Sequence, residues 1–403
     1  MAIYMILPQA AAAEREYYAA EYRARIVPES GRIEVELNLR GEHLPSRIVM
    51  NIDSGRYRNF KATDPLKIGE AEVTWRPRGK KSRLRYEFIV DHKRSSKGYD
   101  SLMTDSWAIF RADKLVPRAK VTARKELYSR AAIEFLVPEN WSVITPYAPV
   151  SPQRYEFDDP ARRFDRPLGW MLVGKIGSRG EYIGDTHVIV AAPVGESARR
   201  QDMLAFLNWN LPHLLDIFSG FPRRVLIVTA GDPMWRGGLS GPASMYVHAR
   251  LPLISENRTS TPLHELMHIA LGIRSDHESD WIVEGMAEFY SLEILRRSGG
   301  ISERRHEQAL QALQNVAQHS SSLFTDNSSG PTTARAVLVM HALDTEIRQA
   351  THNEKSLDDV ARRLAEERGT ITLVRMQATA EAVAGGRLRS LERQRLMQPP
   401  GGR

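Results

Sequence analysis

The chain has 403 residues, of which 42% are hydrophobic and 26% are charged, the profile of a globular protein with two or three domains. It contains no cysteine, which excludes disulfides, zinc ribbons, iron–sulfur clusters and thiol nucleophiles, so any metal site must be built from histidines and carboxylates. The net charge of +7 comes from 56 basic and 49 acidic residues that are scattered along the chain. Because no nucleic-acid-reading motif accompanies them, we expect no nucleic-acid partner.

The N-terminal residues allow two interpretations. The chain begins MAIYMILPQAAAAE, a short apolar run followed by small residues of the kind that precede a signal-peptidase site, but it lacks a positively charged leader. We favour residues 1–17 as the remnant of a signal peptide, which predicts a secreted or periplasmic protein. The alternative is an irregular N-terminus of a cytoplasmic protein. No stretch approaches the roughly 20 apolar residues of a membrane span, so we expect no integral membrane span.

Residues 18–170 have the pattern of a β-domain. The segment 33–39 alternates apolar and polar side chains, as a half-buried strand does. Glycine, proline, aspartate and serine turns separate it from further strand-like runs at 47–52, 72–75, 83–90, 120–124 and 132–137. Short strands at this spacing predict an antiparallel β-sandwich.

After about residue 195 the apolar period becomes helical. Residues 197–218 carry an apolar stripe in which Pro212 is expected to introduce a kink. A glycine-rich stretch at 236–242 precedes a strand-like run at 243–249, and the chain from Pro262 onward is mostly helical in pattern. These patterns predict an α+β protein whose second, mainly α-helical domain spans 171–397, followed by a disordered tail at 398–403.

The sharpest chemical signal is HELMH at residues 264–268, within an apolar helical run that begins at residues 259–261 and ends at Gly272. Since a helix turns about 100° per residue, His264 and His268 lie on one face, one turn apart, where two imidazoles can bind a single zinc ion. Glu265 is turned about 100° away and can reach a water molecule on that ion. The alternative is a structural helix that carries these histidines by chance.

A zinc hydrolase needs a third protein ligand and an open coordination position. A second predicted helix begins DWIVEGMAEFY, with Asp280 as its predicted N-cap. Glu284 lies among apolar neighbours, where an unpaired carboxylate is costly, and Glu288 follows one turn later on the same face. One carboxylate can bind the metal while the other accepts the outer ring N–H of a ligating histidine. The alternatives are two solvated acids, or a third ligand from the preceding loop: Asp276, His277, Glu278 or Asp280.

The pattern HExxH followed by W-x-x-E-G-x-x-E-F-Y resembles the gluzincin metallopeptidases, most of all the aminopeptidase N group and the bacterial glycyl aminopeptidases. The resemblance implies a β-domain ahead of a thermolysin-like catalytic domain, the same order that the hydrophobic pattern indicates. It also implies one zinc ion per chain held by His264, His268 and Glu284. Glu265 would then be the general base, and Glu288 would accept a hydrogen bond from the outer ring N–H of a ligating histidine.

The resemblance further implies that the glycine-rich stretch binds substrate, through Gly237, Gly238, Leu239 and Ser240. Two departures from the family pattern matter. The acid that grips a free amino group in aminopeptidases has no clear counterpart, because Ser240 falls near its place. No tyrosine follows Tyr290, although the family places an oxyanion-binding tyrosine near residues 332–335. Arg335 is the favoured replacement, with His341 and Tyr246 as alternatives.

These observations predict a zinc-dependent metallopeptidase that hydrolyses peptide or protein substrates, with aminopeptidase activity as one specificity. A bound zinc ion would polarise the scissile carbonyl and lower the pKa of its water toward about 7. Because the tyrosine is missing, a second hypothesis stays open: the protein is a catalytically weak or inactive relative that binds peptides or a partner protein. A zinc-free β-sandwich adhesion protein is a third hypothesis.

Overall fold

The structure of the chain is a computed structural model that describes residues 15–398 except 54, 97, 158, 160 and 161. The chain forms two compact units. The first comprises residues up to 92, 101–143 and 147–168, and the second comprises residues 93–100, 144–146 and the chain from 169 onward. Two short segments that the sequence pattern assigns to the first domain therefore belong to the second unit. The domain limits at 18–170 and 171–397 stay predictions.

The chain is mixed α+β, as the sequence predicts. The elements before residue 169 are β1 (Glu16–Val27), β2 (Arg32–Arg40), β3 (Arg47–Asn51), β4 (Tyr57–Ala62), β5 (Leu66–Ile68), β6 (Glu72–Trp75), β7 (Lys81–Ile89), β8 (His92–Ser95), β9 (Gly98–Met103), β10 (Trp107–Arg111), α1 (Ala112–Leu115), β11 (Ala119–Thr122), β12 (Leu127–Leu136), β13 (Ser142–Ile144), β14 (Pro149–Ser151) and β15 (Arg154–Phe157). The later elements are β16 (Trp170–Gly174), β17 (Ile176–Ile183), β18 (Thr186–Pro193), α2 (Arg200–Leu215), β19 (Arg224–Ala230), β20 (Gly238–Gly241), β21 (Ser244–His248), α3 (Thr261–Leu271), β22 (Ile273–Ser275), α4 (Asp280–Arg297), α5 (Glu303–Ala317), α6 (Pro331–Ala350), α7 (Leu357–Glu367), β23 (Gly369–Ile371), α8 (Leu373–Ala384) and α9 (Arg393–Met397).

The first unit contains a seven-stranded sheet in the order β14-β15-β12-β1-β2-β7-β4 and a four-stranded sheet in the order β11-β3-β6-β5. Alternate side chains of β1 are buried, among them Tyr18, Tyr22 and Ile26. β1 pairs antiparallel with β2 but parallel with β12, which differs from the purely antiparallel expectation. The stacking of the two sheets into a sandwich stays a prediction.

The second unit contains a five-stranded sheet in the order β17-β18-β19-β21-β20. Its inner strands β18, β19 and β21 run parallel, and β19 is almost entirely buried, as parallel strands covered on both faces are. The glycine-rich stretch itself forms β20, an edge strand antiparallel to β21 that the sequence pattern does not predict. This edge strand contacts α3, so the sheet edge lies beside the histidine motif.

The two motif helices begin and end for local reasons. The Ser260 side chain caps α3 by accepting a hydrogen bond from the Leu263 amide, and Gly272 ends the helix with a φ of 57°, a left-handed conformation that glycine adopts without strain. The prediction that Asp280 is the N-cap of α4 is wrong, because the cap position is Ser279. Asp280 instead accepts a hydrogen bond from the Ser328 amide at 2.6 Å.

The chain termini are described only in part. Residues 1–14 and 399–403, which carry most of the predicted signal-peptide remnant and of the predicted tail, lie outside the described residues. Glu16 and Tyr17 belong to β1, and the Gln398 carbonyl accepts a hydrogen bond from Arg335. Among the described helices, none is both long and apolar enough to cross a membrane.

A partly buried ionic network holds the C-terminal half of α4. Tyr290 donates a hydrogen bond to Asp358 on α7 at 2.9 Å, and Arg297 binds the same carboxylate with both terminal nitrogens, at 2.8 and 3.1 Å. Arg297 also donates to Glu293 at 2.8 Å, and Glu293 accepts two bonds from Arg296. Each carboxylate in this network pairs with an arginine, which offsets the cost of removing its charge from water. The network therefore fixes α4 against α7.

We expect Asp358→Ala to lower the free energy of unfolding by about 2–3 kcal/mol, because the Tyr290 hydroxyl loses its acceptor and the half-buried Arg297 is left with Glu293. Urea denaturation measures this loss. The matched control is Asp202→Ala, which breaks an exposed pair with Arg199 at 3.9 Å and should cost less than about 0.5 kcal/mol. Equal losses in the two variants would contradict a structural role for the network.

Candidate metal centre

Two imidazoles face each other on α3. His264 and His268 lie one turn apart, and their Nε2 atoms are 3.1 Å from one another. Both rings are mostly shielded, with side-chain exposures of 17% and 15%. The i, i+4 spacing in HELMH thus brings the two nitrogens together, as the helical periodicity predicts.

The third group comes from α4, which packs against α3. The carboxylate oxygens of Glu284 lie 3.3 Å from the Nε2 atom of His264 and 3.5 Å from that of His268. One ligand atom from each residue lies within 4.8 Å of the others. Two imidazoles and one carboxylate that converge in this way fit a zinc ion with a position left open. Within the part of the chain that the structure describes, no other group of three such residues converges.

Glu288 orients one of the imidazoles. Its Oε2 atom lies 2.9 Å from the Nδ1 atom of His264, on the side of the ring away from Glu284. An Nδ1–H that donates to this carboxylate leaves the Nε2 lone pair of His264 facing the other two groups. Such a carboxylate behind a histidine fixes the tautomer that binds a metal ion.

The electrostatics of these groups reflect burial and close contact. Burial lowers the pKa of His268 to about 4, and the neighbouring His264 adds to the effect. Burial also acts to lower the pKa of His264, but hydrogen bonds to Glu284 and Glu288 raise it well above its usual value. Burial favours the neutral form of Glu284, yet the hydrogen bond with His264 holds its pKa below the usual range. The shifts of His268 and Glu284 favour the neutral imidazole and the ionised carboxylate that bind a metal ion, whereas His264 would release a proton on binding one.

Glu265 lies beside the cluster and is 7% exposed. Burial raises the pKa of its carboxyl, as suits a group that accepts and returns a proton. Hydrogen bonding from Ser240 acts in the opposite direction and lowers this pKa. A Cβ atom at Gly238 would lie 2.6 Å from the Glu265 Oε1 atom, so only glycine lets the edge strand approach this closely.

The alternative third ligands lie outside the cluster. The side chain of His277 is 96% exposed and lies 3.6 Å from a carboxylate oxygen of Asp326. Asp276 accepts the amide hydrogen of Glu278, and the Glu278 carboxylate pairs with Arg393 at 3.1 Å. The loop acids thus have partners other than the two histidines of α3.

Two of the three proposed oxyanion donors, Arg335 and Tyr246, have other partners. A terminal nitrogen of Arg335 donates to the carbonyls of Leu396 and Gln398. The Tyr246 hydroxyl lies 3.2 and 3.1 Å from the carbonyl oxygens of Ala230 and Trp235. The oxyanion role of Arg335 stays a prediction, and its contacts favour a role in holding residues 396–398.

Sequence reasoning missed how α6 supports the site. A Cβ atom at Gly285, the residue after Glu284, would lie 2.7 Å from the Cβ atom of Ala336 on α6. Glycine therefore allows α4 to pack tightly on α6 directly behind the Glu284 carboxylate. The Glu-Gly pair in the motif is a signal for this packing, but the partner residue can be found only from the structure.

Comparisons with known proteins yielded matches among solved structures only. No protein-family model and no curated protein matches the sequence. An aminopeptidase N family protein from Idiomarina loihiensis superposes with a TM-score of 0.67 over 86% of this chain and 70% of its own, at 16% identity. A variant of the M1 zinc metallopeptidase from Deinococcus radiodurans, bound to a Tyr-Ser-Ala substrate, gives 0.62 over 96% of both chains at 15% identity.

A two-domain M1 zinc metallopeptidase variant bound to L-tryptophan also gives a TM-score of 0.62, over 98% of this chain and 99% of its own, at 14% identity. At such low identities the likeness concerns the fold. The predicted resemblance to the aminopeptidase N group is confirmed at that level: the chain has the fold of the M1 zinc metallopeptidases.

Proposed function

We propose that this protein is a zinc-dependent metallopeptidase of the gluzincin type that hydrolyses peptide bonds with Glu265 as the general base. The convergence of His264, His268 and Glu284 beside that glutamate is the observation that carries the proposal. The second unit would then be a thermolysin-like catalytic domain with one zinc ion per chain. The substrate-bound and amino-acid-bound zinc metallopeptidases of the same fold support a peptide substrate.

The chemistry divides between the ion and the chain. A zinc ion held by His264, His268 and Glu284 would polarise the scissile carbonyl and lower the pKa of a water molecule. Glu265 accepts a proton from the attacking water and delivers it to the leaving amine. Its burial suits this task, because a carboxylate with few water contacts is a stronger base.

The edge strand β20 offers a surface for the peptide backbone. The outer edge of a sheet can add an extended peptide as a further strand. Gly238 lies at this edge directly beside Glu265, so a peptide paired there would bring its backbone to the general base. This supports the predicted substrate-binding role of the glycine-rich stretch.

The second candidate function is peptide binding by a catalytically weak or inactive relative of these peptidases. The partners of Arg335 and Tyr246 favour it, because both side chains already bind backbone carbonyls. Without an additional donor, the tetrahedral oxyanion loses a contact of the kind worth about 10²–10³ in rate. Zinc analysis combined with digestion of a peptide library separates the two. Stoichiometric zinc with cleavage supports the peptidase, and stoichiometric zinc without cleavage supports the relative.

The ligand assignment predicts which substitutions remove zinc. Alanine at His264, His268 or Glu284 should reduce bound zinc, measured by elemental analysis after dialysis, to a small fraction of one per chain. His277→Ala is the matched control and should keep full zinc, since this side chain points into solvent. Full zinc in Glu284→Ala would contradict the assignment of the third ligand.

Glu288→Gln should weaken zinc binding about 10-fold to 100-fold, as the loss of a carboxylate behind a histidine ligand does. The amide still fits the space beside the Nδ1 atom of His264 but lacks the negative charge that supports the imidazole. Competition with a chelator measures the zinc affinity. An affinity equal to that of the wild type would show that Glu288 has no such role.

Glu265→Gln should keep its zinc and its melting temperature but lose hydrolysis by about 10²–10⁴-fold, because only the proton carrier is removed. Turnover of a fluorogenic peptide, compared with zinc content and thermal unfolding of the same sample, checks this. Residual turnover above about one tenth of the wild-type rate would rule out Glu265 as the general base.

A further inference from the structure

The five-stranded sheet of the second unit ends in β20 at one edge and in β17 at the other. β17 spans eight residues and pairs with β18 on one side. Within the part of the chain that the structure describes, no backbone group hydrogen-bonds to its other side. The five residues at 178–182 are all exposed. A strand whose outer groups are left open in this way is a template for a further extended strand.

The register with β18 determines which backbone groups of β17 point outward. The Val194 amide donates to the Lys175 carbonyl at 2.8 Å, so this residue pair is hydrogen-bonded. Hydrogen-bonded and non-hydrogen-bonded pairs alternate along an antiparallel ladder. The odd-numbered residues of β17 therefore direct their backbone groups to β18. The amides and carbonyls of Ser178, Gly180 and Tyr182 point to the outer edge of the sheet.

The side chains around Gly180 make this strand complementary to itself. Arg179 and Glu181 flank the glycine on one face of the sheet, and among the described residues neither has an ion-pair partner. When two β17 strands pair antiparallel about Gly180, Arg179 of each copy lies directly opposite Glu181 of the other. These are non-hydrogen-bonded positions, where opposing side chains are closest. The pairing thus forms two cross-strand pairs of opposite charge, which stabilise a sheet.

Other antiparallel registers of the same two strands are less favourable. A register centred on Arg179 or on Glu181 places like charges directly opposite one another. A register centred between two residues sets outward-pointing backbone groups against inward-pointing ones, so the hydrogen bonds cannot form. Centring on Gly180 aligns Ser178 of each copy with Tyr182 of the other, with two hydrogen bonds for each aligned pair. Registers centred nearer either end shorten the paired segment.

An exposed aromatic ring lies at the same edge. Tyr182 is 71% exposed and stacks on His187 of β18, with 4.6 Å between the ring centroids. In the register centred on Gly180, this ring faces Ser178 of the other copy. It also lies diagonally beside Gly180 of that copy, where the absence of a side chain leaves room for it. Pairing would therefore cover a large ring that is exposed in the single chain.

We propose that this protein forms a two-fold symmetric dimer in which β17 pairs antiparallel with β17 of a second copy, centred on Gly180. The five-stranded sheet then continues from one chain into the other, as a sheet does when a strand is added to its edge. The edge strand β20, beside the metal site, stays available to a peptide because it lies at the other edge of the same sheet. The inference is independent of the proposed function, since it uses none of the residues of the metal centre.

The test exchanges the charges across the dimer axis and measures the mass by sedimentation over a range of protein concentrations. The wild type should approach twice the 45.6 kDa mass of the chain as the concentration rises. Arg179→Glu and Glu181→Arg each place two like-charge pairs beside the axis and should weaken association about 10-fold or more. The double variant Arg179→Glu/Glu181→Arg restores opposite charges and should form the dimer again.

The matched control is Arg304→Glu, which makes the same change of charge at an exposed residue of α5 and should dimerise as the wild type does. The variants should keep the melting temperature of the single chain, because both exchanged side chains are exposed. Hydrogen exchange gives a second readout. The amides of residues 178, 180 and 182 should exchange more slowly at high protein concentration than at low concentration.

Three results would overturn the proposal. A wild type that is monomeric at every concentration excludes the dimer and leaves the edge of β17 to a strand of another protein. A dimer that persists in both single variants, or that the double variant fails to restore, shows that the charges around Gly180 do not set the pairing. A dimer in which residues 178, 180 and 182 gain no protection shows that another surface holds the two copies together.

Discussion

The packing of α3 against α4 confines two imidazoles and a carboxylate to a space in which their ligand atoms lie within 4.8 Å of one another. Groups this close, and this well shielded from water, must share protons or a cation to offset the loss of solvation. The pKa of His264 is raised and that of His268 is lowered, so the two neighbouring rings do not both hold a proton. A divalent cation satisfies all three groups together, and we expect the neighbouring acids to be arranged around that ion.

The second unit supports the site from several directions. The edge strand β20 approaches α3 closely enough that glycine is required at position 238. On the other side, Gly285 allows α6 to lie directly behind Glu284, and the Arg297–Asp358 pair ties the far end of α4 to α7. The proposed catalytic groups are thus placed on regular elements with many neighbours, which is what precise positioning of reacting groups requires.

Local periodicity allowed much of the site to be predicted. The i, i+4 spacing of the histidines is a property of one helix, and Glu284 and Glu288 share a face of the next for the same reason. The close approach of Gly238 to Glu265 could not be predicted in this way, because it depends on how a sheet edge meets a helix. β1 was also missed, although Tyr22, Ala24 and Ile26 alternate with polar residues. Its parallel pairing with β12 joins segments about 110 residues apart. Partner choice between strands is not encoded in the periodicity of either strand.

X-ray absorption at the zinc edge, measured on protein loaded with one equivalent of zinc, tests the central claim most directly. The account predicts four ligands, with two imidazole nitrogens and one carboxylate oxygen from the chain and one oxygen from solvent, at about 2.0–2.2 Å. The imidazole signal should disappear in His264→Ala/His268→Ala. A zinc ion bound without imidazole ligands, or one whose spectrum is unchanged in that double variant, would contradict the account.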